Sequence, residues 1–242
     1  MSITYFSPSY KRAKGVKTQA YLPFVRYVVA EFEAEDYLRE GHDCWIVPDH
    51  AQGSVARIRN YILDHADADQ VVMFDDDMDG MARWDQQKQK RLDADEVQEF
   101  CDAGFMLAED LDIRYWGVNL LPDKGAYREY TPLCFRAMVL GPFQAFNRLD
   151  LRYDEALPLK EDYDLSLQVL NKYRRTLRFN AYHYIVKQHT NTGGCADYRT
   201  LAREKEQMQM LIRKWGSKIV REDKRSKGYD INPVINVPIG GV

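Results

Sequence analysis

Apolar positions in the first part of the chain fall into short runs separated by mixed stretches. "ITYF", "RYVVAEFE", "DCWIVPD" and "QVVMF" are rich in β-branched and aromatic residues and predict strands. A helix is predicted around residues 18 to 25, and "AEDYLREGH" reads as a short helix stopped by Gly41. "GSVARIRNYILDHA" opens with a Gly-Ser cap and keeps Val55, Ile58, Ile62 and Leu63 near one face, which predicts a third helix. Strands that alternate with helices point to an α/β fold with a mostly parallel sheet.

The second half continues less regularly. Residues 85 to 111 are charged and read as helical, with "DADEVQEF" a good helix start. "YWGVNLL" predicts a strand, and "AMVLGPFQAF" a strand broken at Gly141 and Pro142. "KEDYDLSLQVLNKY" is a helix opened by acids, which suit a helix N-terminus. "RFNAYHYIVKQH" predicts a long strand, and "REKEQMQMLIRKWG" an amphipathic helix ended by Gly216. The tail "GYDINPVINVPIGGV" carries Pro and Gly at intervals and predicts an extended strap. With no internal repeat or low-complexity linker, residues 1–242 read as one domain: a first half over 1–84, a second over 110–195, and a basic C-terminal helix and tail over 196–242.

One stretch demands chemistry. "QVVMFDDDMDG" runs four apolar residues into Asp75, Asp76, Asp77 and Asp79. Carboxylates this close repel one another, and each is costly to desolvate unless something positive sits among them. In parallel α/β sheets, ligands bind beyond the C-terminal ends of the strands, so the cluster stands at an active-site edge. The start of an EF-hand calcium loop fits the spacing, but the twelfth position is Gln86 rather than Glu, and a strand pattern precedes the acids. "DMDG" is similar to the haloacid-dehalogenase phosphatase motif, in which Asp77 would be a nucleophile. There Met81 stands where Thr or Val is expected, and the strand ends too early, at Phe74.

A third reading is the DxD motif of GT-A type glycosyltransferases, and the flanking sequence resembles that family in order. "SPSYKR" resembles its P-[ST]-Y-x-R element, which implies donor contacts by Ser7, Pro8, Tyr10 and Arg12. "GSVARIRN" resembles its G-x-x-x-A-R-N helix, with Arg57 or Arg59 as the equivalent arginine and Asn60 as the asparagine. Glu33, read at the end of the second strand, stands where the family has an acid on the uracil or ribose. "LPLKEDYDLSL" resembles the xED motif, which implies Asp162 as general base, with Glu161 as the second choice. Asp75 and Asp77 would hold Mn2+ or Mg2+ against the diphosphate of a UDP-sugar, with Asp76 on the ribose or sugar and His189 of "VKQHTNTGG" as a further ligand.

Charge and composition then narrow the partner. Net charge is -3, so a nucleic-acid partner must use a local patch. Residues 199 to 228 hold ten basic and four acidic side chains, and "KYRRTLR" adds Arg174 and Arg175. Cys44, Cys101, Cys134 and Cys195 lie far apart, which argues against a cysteine zinc site and for free thiols. No apolar leader and no run of about 18 apolar residues is present, which predicts a soluble cytoplasmic protein without a membrane partner. Over nearly its whole length the chain resembles the TET-associated glycosyltransferases of bacteriophages. That resemblance implies an acceptor in double-stranded DNA, the hydroxyl of a 5-hydroxymethylpyrimidine such as 5-hydroxymethylcytosine. Trp116, Tyr127, Arg174, Arg175 and Lys214 are then candidate acceptor and DNA contacts, and Asp162 as base implies inversion. The rivals are a GT-A enzyme acting on a glycan, protein or small molecule, the phosphatase, and a non-catalytic GT-A-like binding domain.

Overall fold

The computed structural model describes residues 2–86, 88–120, 122, 127–186, 199–224 and 231–238. In chain order the strands are β1 (Ile3–Pro8), β2 (Arg26–Ala30), β3 (Cys44–Val47), β4 (Gln70–Phe74), β5 (Gly80–Asp85), β6 (Lys88–Arg91), β7 (Tyr115–Asn119), β8 (Leu133–Cys134), β9 (Phe143–Asn147), β10 (Leu177–Ile185), β11 (Val220–Glu222) and β12 (Pro233–Ile235). The helices are α1 (Thr18–Tyr21), α2 (Glu31–Arg39), α3 (Val55–His65), α4 (Ala94–Asp110), α5 (Glu161–Tyr173) and α6 (Leu201–Trp215).

The main sheet has the order β3-β2-β1-β4-β9-β7-β10-β5-β6, with β8 added beside β10. The strand–helix repeat of the first half produces the parallel block β3-β2-β1-β4. Along this path β9 and β5 run against the rest. The order turns around between β1 and β4: the chain first moves outward to β2 and β3, then returns to the other side of β1. Such a switch point opens a crevice at the carboxyl ends of the two strands.

All five residues of β4 are buried, because the sheet has a core on each face. Val72 and Phe74 belong to one apolar cluster, and Val71 and Met73 to the other, as period-two alternation requires. In the first cluster Trp116 is packed edge-on against Phe100, Phe105 and Phe179. A Cβ at Gly104 of α4 would stand 2.4 Å from the indole. Gly104→Ala therefore overpacks this core by about 1–3 kcal/mol, against a gain in helix propensity of about 1 kcal/mol. Net destabilisation in a urea titration is the expected result, and a more stable variant would contradict the packing.

Three boundaries differ from the sequence reading. The helix expected over 18 to 25 is the single turn of α1. The strand "RYVVAEFE" stops at Ala30 and the chain enters α2 at once, without a side-chain cap to mark the change. Gly80–Asp85 and Lys88–Arg91 are the antiparallel pair β5 and β6, and α4 begins only at Ala94, behind a capping box of Asp93 and Glu96. The tail residues of β12 are extended as expected and pair with β11. Cys44, Cys101 and Cys134 are free thiols. Among the described residues no helix is long and apolar enough to cross a membrane.

Candidate active site

The acidic loop after β4 emerges at the switch point and is held there by backbone. The amides of Lys17 and Thr18 donate to the Asp76 carbonyl at 2.8 and 3.3 Å. The Thr18 hydroxyl donates to the Asp75 carbonyl (2.5 Å) and accepts from the Met78 amide (3.1 Å). On the other side the Asp75 amide donates to the carbonyl of Pro142 (3.1 Å). The turn at Asp76 and Asp77 then separates the carboxylates. Asp75 and Asp77 keep 37% and 21% of their side chains exposed, whereas Asp76 keeps 6%.

The charge problem is met partly by the protein's own cations. Asp76 accepts from Ser9 Oγ (2.5 Å) and from Arg12 Nη1 (2.8 Å), and Arg12 also lies 3.5 Å from Asp77. Burial raises the Asp76 carboxyl above the usual aspartate range, with Arg12 and Ser9 opposing it. Lys17 pairs with Asp79 at 3.2 Å. Arg59, 5% exposed, donates to Asp75 (2.8 Å) and to Glu161 (3.2 Å), so one guanidinium joins the end of β4 to the start of α5.

Glu161, Asp162 and Asp164 crowd the first turn of α5, where the helix dipole favours acids. Asp162 is fixed by two amides: Gly141 N–H donates to Oδ2 (3.2 Å) and Tyr163 N–H to Oδ1 (2.8 Å). Burial raises the Asp162 carboxyl, with Arg59 opposing. Glu161 is raised too, by burial first and then by Asp162 beside it.

On the other flank of Arg12 is an open cavity of about 720 Å³, lined by Lys11, Arg12, Lys14, Glu33, Tyr37 and neighbouring residues. That volume suits a nucleotide-sized ligand. Glu33 stands in the first turn of α2 rather than at a strand end. Its carboxyl accepts from the Lys11 amide (2.6 Å) and from Gln52 Nε2 (3.3 Å), and burial lifts it to about 7. Tyr10 meets Phe32 edge to face nearby. Pro8 ends β1, and Ser7 is fully buried.

The two candidate arginines sit in different places. Arg59 enters the acid cluster, while Arg57 pairs with Glu155 at the surface (2.9 Å). Asn60 turns away and clamps Tyr153, donating to its carbonyl and accepting from its amide. His189 lies outside the described residues. Two acceptor expectations are corrected. Trp116 is 0% exposed in the core and offers no face to a base. Lys214 is committed to Asp154 (2.7 Å) and Asp164 (2.9 Å), which leaves it poorly placed to neutralise phosphates. Arg174 ends α5 in a left-handed conformation (φ 66°), Arg175 lies 3.7 Å from Asp112, and Tyr127 is half-buried. Ser9 and Gly141 escaped the sequence reading. Only Ser9 carried a signal, inside "SPSYKR".

The carboxylates fit a hard divalent cation. Asp75, Asp77 and Asp79 stay partly open while Asp76 is buried, and among the described residues no group of three or more His, Cys, Asp or Glu side chains converges into a metal cage. Two carboxylates completed by phosphate oxygens and water are a usual way to hold Mg2+ or Mn2+ on a nucleotide.

A family model described as TET-Associated Glycosyltransferase matches residues 3–194. No curated protein sequence matches the chain. Among solved structures, a mannosyltransferase from Pyrobaculum calidifontis, crystallised with GDP-Man and Mn2+, superposes with a TM-score of 0.53 at 14% identity, over 87% of this chain and 64% of its own. Glucosyl-3-phosphoglycerate synthase from Mycobacterium tuberculosis, crystallised with Mg2+ and UDP, gives 0.51 at 11% identity over 97% and 86%. S. aureus TarS 1-349 gives 0.47 at 13% identity over 76% and 60%. The chain thus spans about three fifths of the length of TarS 1-349 and of the mannosyltransferase. At these identities the likeness to the mannosyltransferase and to the synthase establishes the fold alone, which is GT-A.

Proposed function

Since the chain belongs to the TET-Associated Glycosyltransferase family, we propose that it moves a sugar from a UDP-sugar to the hydroxyl of a 5-hydroxymethylpyrimidine in double-stranded DNA, with inversion, in the cytoplasm of the cell. One observation carries the reading: Arg59 bonds both Asp75 and Glu161, which brings the acids after β4 and the acids opening α5 to one cleft.

The roles follow from position. The cavity beside Glu33 and Tyr10 receives the nucleotide, and Arg12 stands between it and the acidic loop. Asp76 is a structural acid, buried against Ser9 and Arg12. Asp75 and Asp77 would hold Mn2+ or Mg2+, which supplies positive charge to the diphosphate leaving group when bound. Asp162 takes the proton of the acceptor hydroxyl, its carboxylate aimed by the amides of Gly141 and Tyr163. DNA phosphates are met by Arg174 and Arg175 rather than by Lys214.

The test is to incubate hydroxymethylated duplex with a panel of UDP-sugars and Mn2+, then digest it and weigh the nucleosides. A mass gain of one sugar that disappears with Asp77→Ala is the expected result. No gain with any donor would defeat the reading. Turnover of a glycan acceptor without DNA would move it to a different substrate class.

A further inference from the structure

Tyr184 lies on β10 opposite Met81 of β5, and its neighbour Ile185 accepts the Asp79 amide at 2.9 Å. The end of β10 is therefore tied to the acidic loop. The Tyr184 ring packs in the apolar cluster with Phe74, Met78 and Met81, and the side chain is 5% exposed.

The hydroxyl end of that ring reaches the cleft. A Cβ at Gly141 would stand 2.6 Å from Tyr184 Oη, and the Gly141 amide is the one that holds Asp162. Gly141 has φ +71° and leaves the space that the hydroxyl needs. The next residue, Pro142, accepts the Asp75 amide at 3.1 Å, so the hydroxyl lies beside a stretch of backbone that anchors both the end of β4 and the candidate base. It makes no hydrogen bond to another described residue. Buried phenols ordinarily find a partner, and one left open inside a cleft marks a place that a ligand completes.

We propose that Tyr184 is a sugar-contacting residue, its hydroxyl donating a hydrogen bond to an oxygen of the glycosyl ring in transit. This rests on the donor reading above. In an inverting displacement the acceptor oxygen attacks from the side opposite the leaving diphosphate. The ring must therefore lie between Asp162 and the acids that serve the diphosphate, and the Gly141–Pro142 backbone beside Tyr184 Oη bonds one of each. A neutral donor suits this point, because a further carboxylate would be repelled. A phenol is protonated throughout the neutral range, so the hydroxyl can donate.

Tyr184→Phe removes the hydroxyl and keeps the ring. The donor that the wild type turns over is first chosen from UDP-glucose, UDP-galactose and UDP-N-acetylglucosamine. Calorimetry with Mn2+ then compares UDP and that donor on both proteins, alongside kcat and donor KM. Loss of one neutral hydrogen bond should weaken the UDP-sugar about five- to tenfold, with UDP itself held within about twofold. If the variant binds and turns over the donor as the wild type does, the hydroxyl does not touch the sugar, and the proposal falls while the donor reading stands. If UDP and UDP-sugar weaken alike, Tyr184 serves only the scaffold and the proposal again falls. If the wild type turns over none of the three, the donor reading fails and takes the proposal with it.

Discussion

Asp162→Asn should lower kcat with hydroxymethylated DNA by about 10²–10⁴-fold, the usual worth of a positioned general base. The substitution keeps the size of the side chain, and its one oxygen can still accept one of the two amides that Asp162 holds on separate oxygens, from Gly141 and Tyr163. What it loses is the ability to take a proton. The nucleotide cavity lies beyond Arg12, so UDP binding should stay within about twofold of wild type. Burial holds the Asp162 carboxyl above the ordinary aspartate range. The ionised base is therefore lost as pH falls through that raised value, and the acid limb of kcat/KM should lie above it too.

Linkage separates this loss from unfolding. A carboxyl whose proton is held more tightly in the folded state contributes stability at low pH, and that contribution is lost as pH rises through the folded value. Ionised Asp162 thus burdens the fold near neutrality, and its removal offsets the one amide bond that Asp162→Asn gives up, so the variant should melt within a few degrees of wild type at pH 7. Unchanged turnover, or activity lost together with several degrees of melting temperature, would remove Asp162 from the role of base.

Glu204→Ala has the largest expected effect on stability, a loss of about 3–5 kcal/mol. Lys160 Nζ stands 2.5 Å from Glu204, and the two side chains are 3% and 0% exposed. Arg199 adds a second contact to the same carboxylate at 2.6 Å. Without Glu204 the Lys160 ammonium stays buried with no anion in place. Lys160→Met in the Glu204→Ala background should recover part of the loss, because it replaces an isolated charge by apolar volume. Urea titration measures both variants, and a change below about 1 kcal/mol for the single one would mean that water reaches the pair.

The parts of the site that could be read from the sequence were those whose chemistry is local. An apolar run that meets a row of aspartates is a strand end at an active-site edge, and an Glu-Asp pair before a periodic stretch is a helix start. Both follow from rules that span a few residues. What could not be read depended on distant chain. Arg57 and Arg59 differ by two positions on a helix, and only Asp75 and Glu161 on one side and Glu155 on the other tell them apart. Trp116 looked like an aromatic platform because sequence does not distinguish a buried ring from an exposed one. The β5–β6 pair was hidden because all four residues of β6 are exposed and polar, so no apolar alternation remained to mark it. Glu33 was set on a strand because Phe32 prolongs the apolar run, although its side chain is exposed on α2.

The family match ends at residue 194, before α6, yet α6 supplies the anion that lets Lys160 be buried directly ahead of Glu161 and Asp162. The two partners are 44 residues apart. On the ribosome, the parallel block of the first half emerges complete while the start of α5 still lacks its counter-ion. On the function proposed above, a nascent chain presents the donor cavity before it presents a settled base. Donor binding and sugar transfer should be acquired in that order during synthesis, with transfer arriving only once α6 has left the exit tunnel.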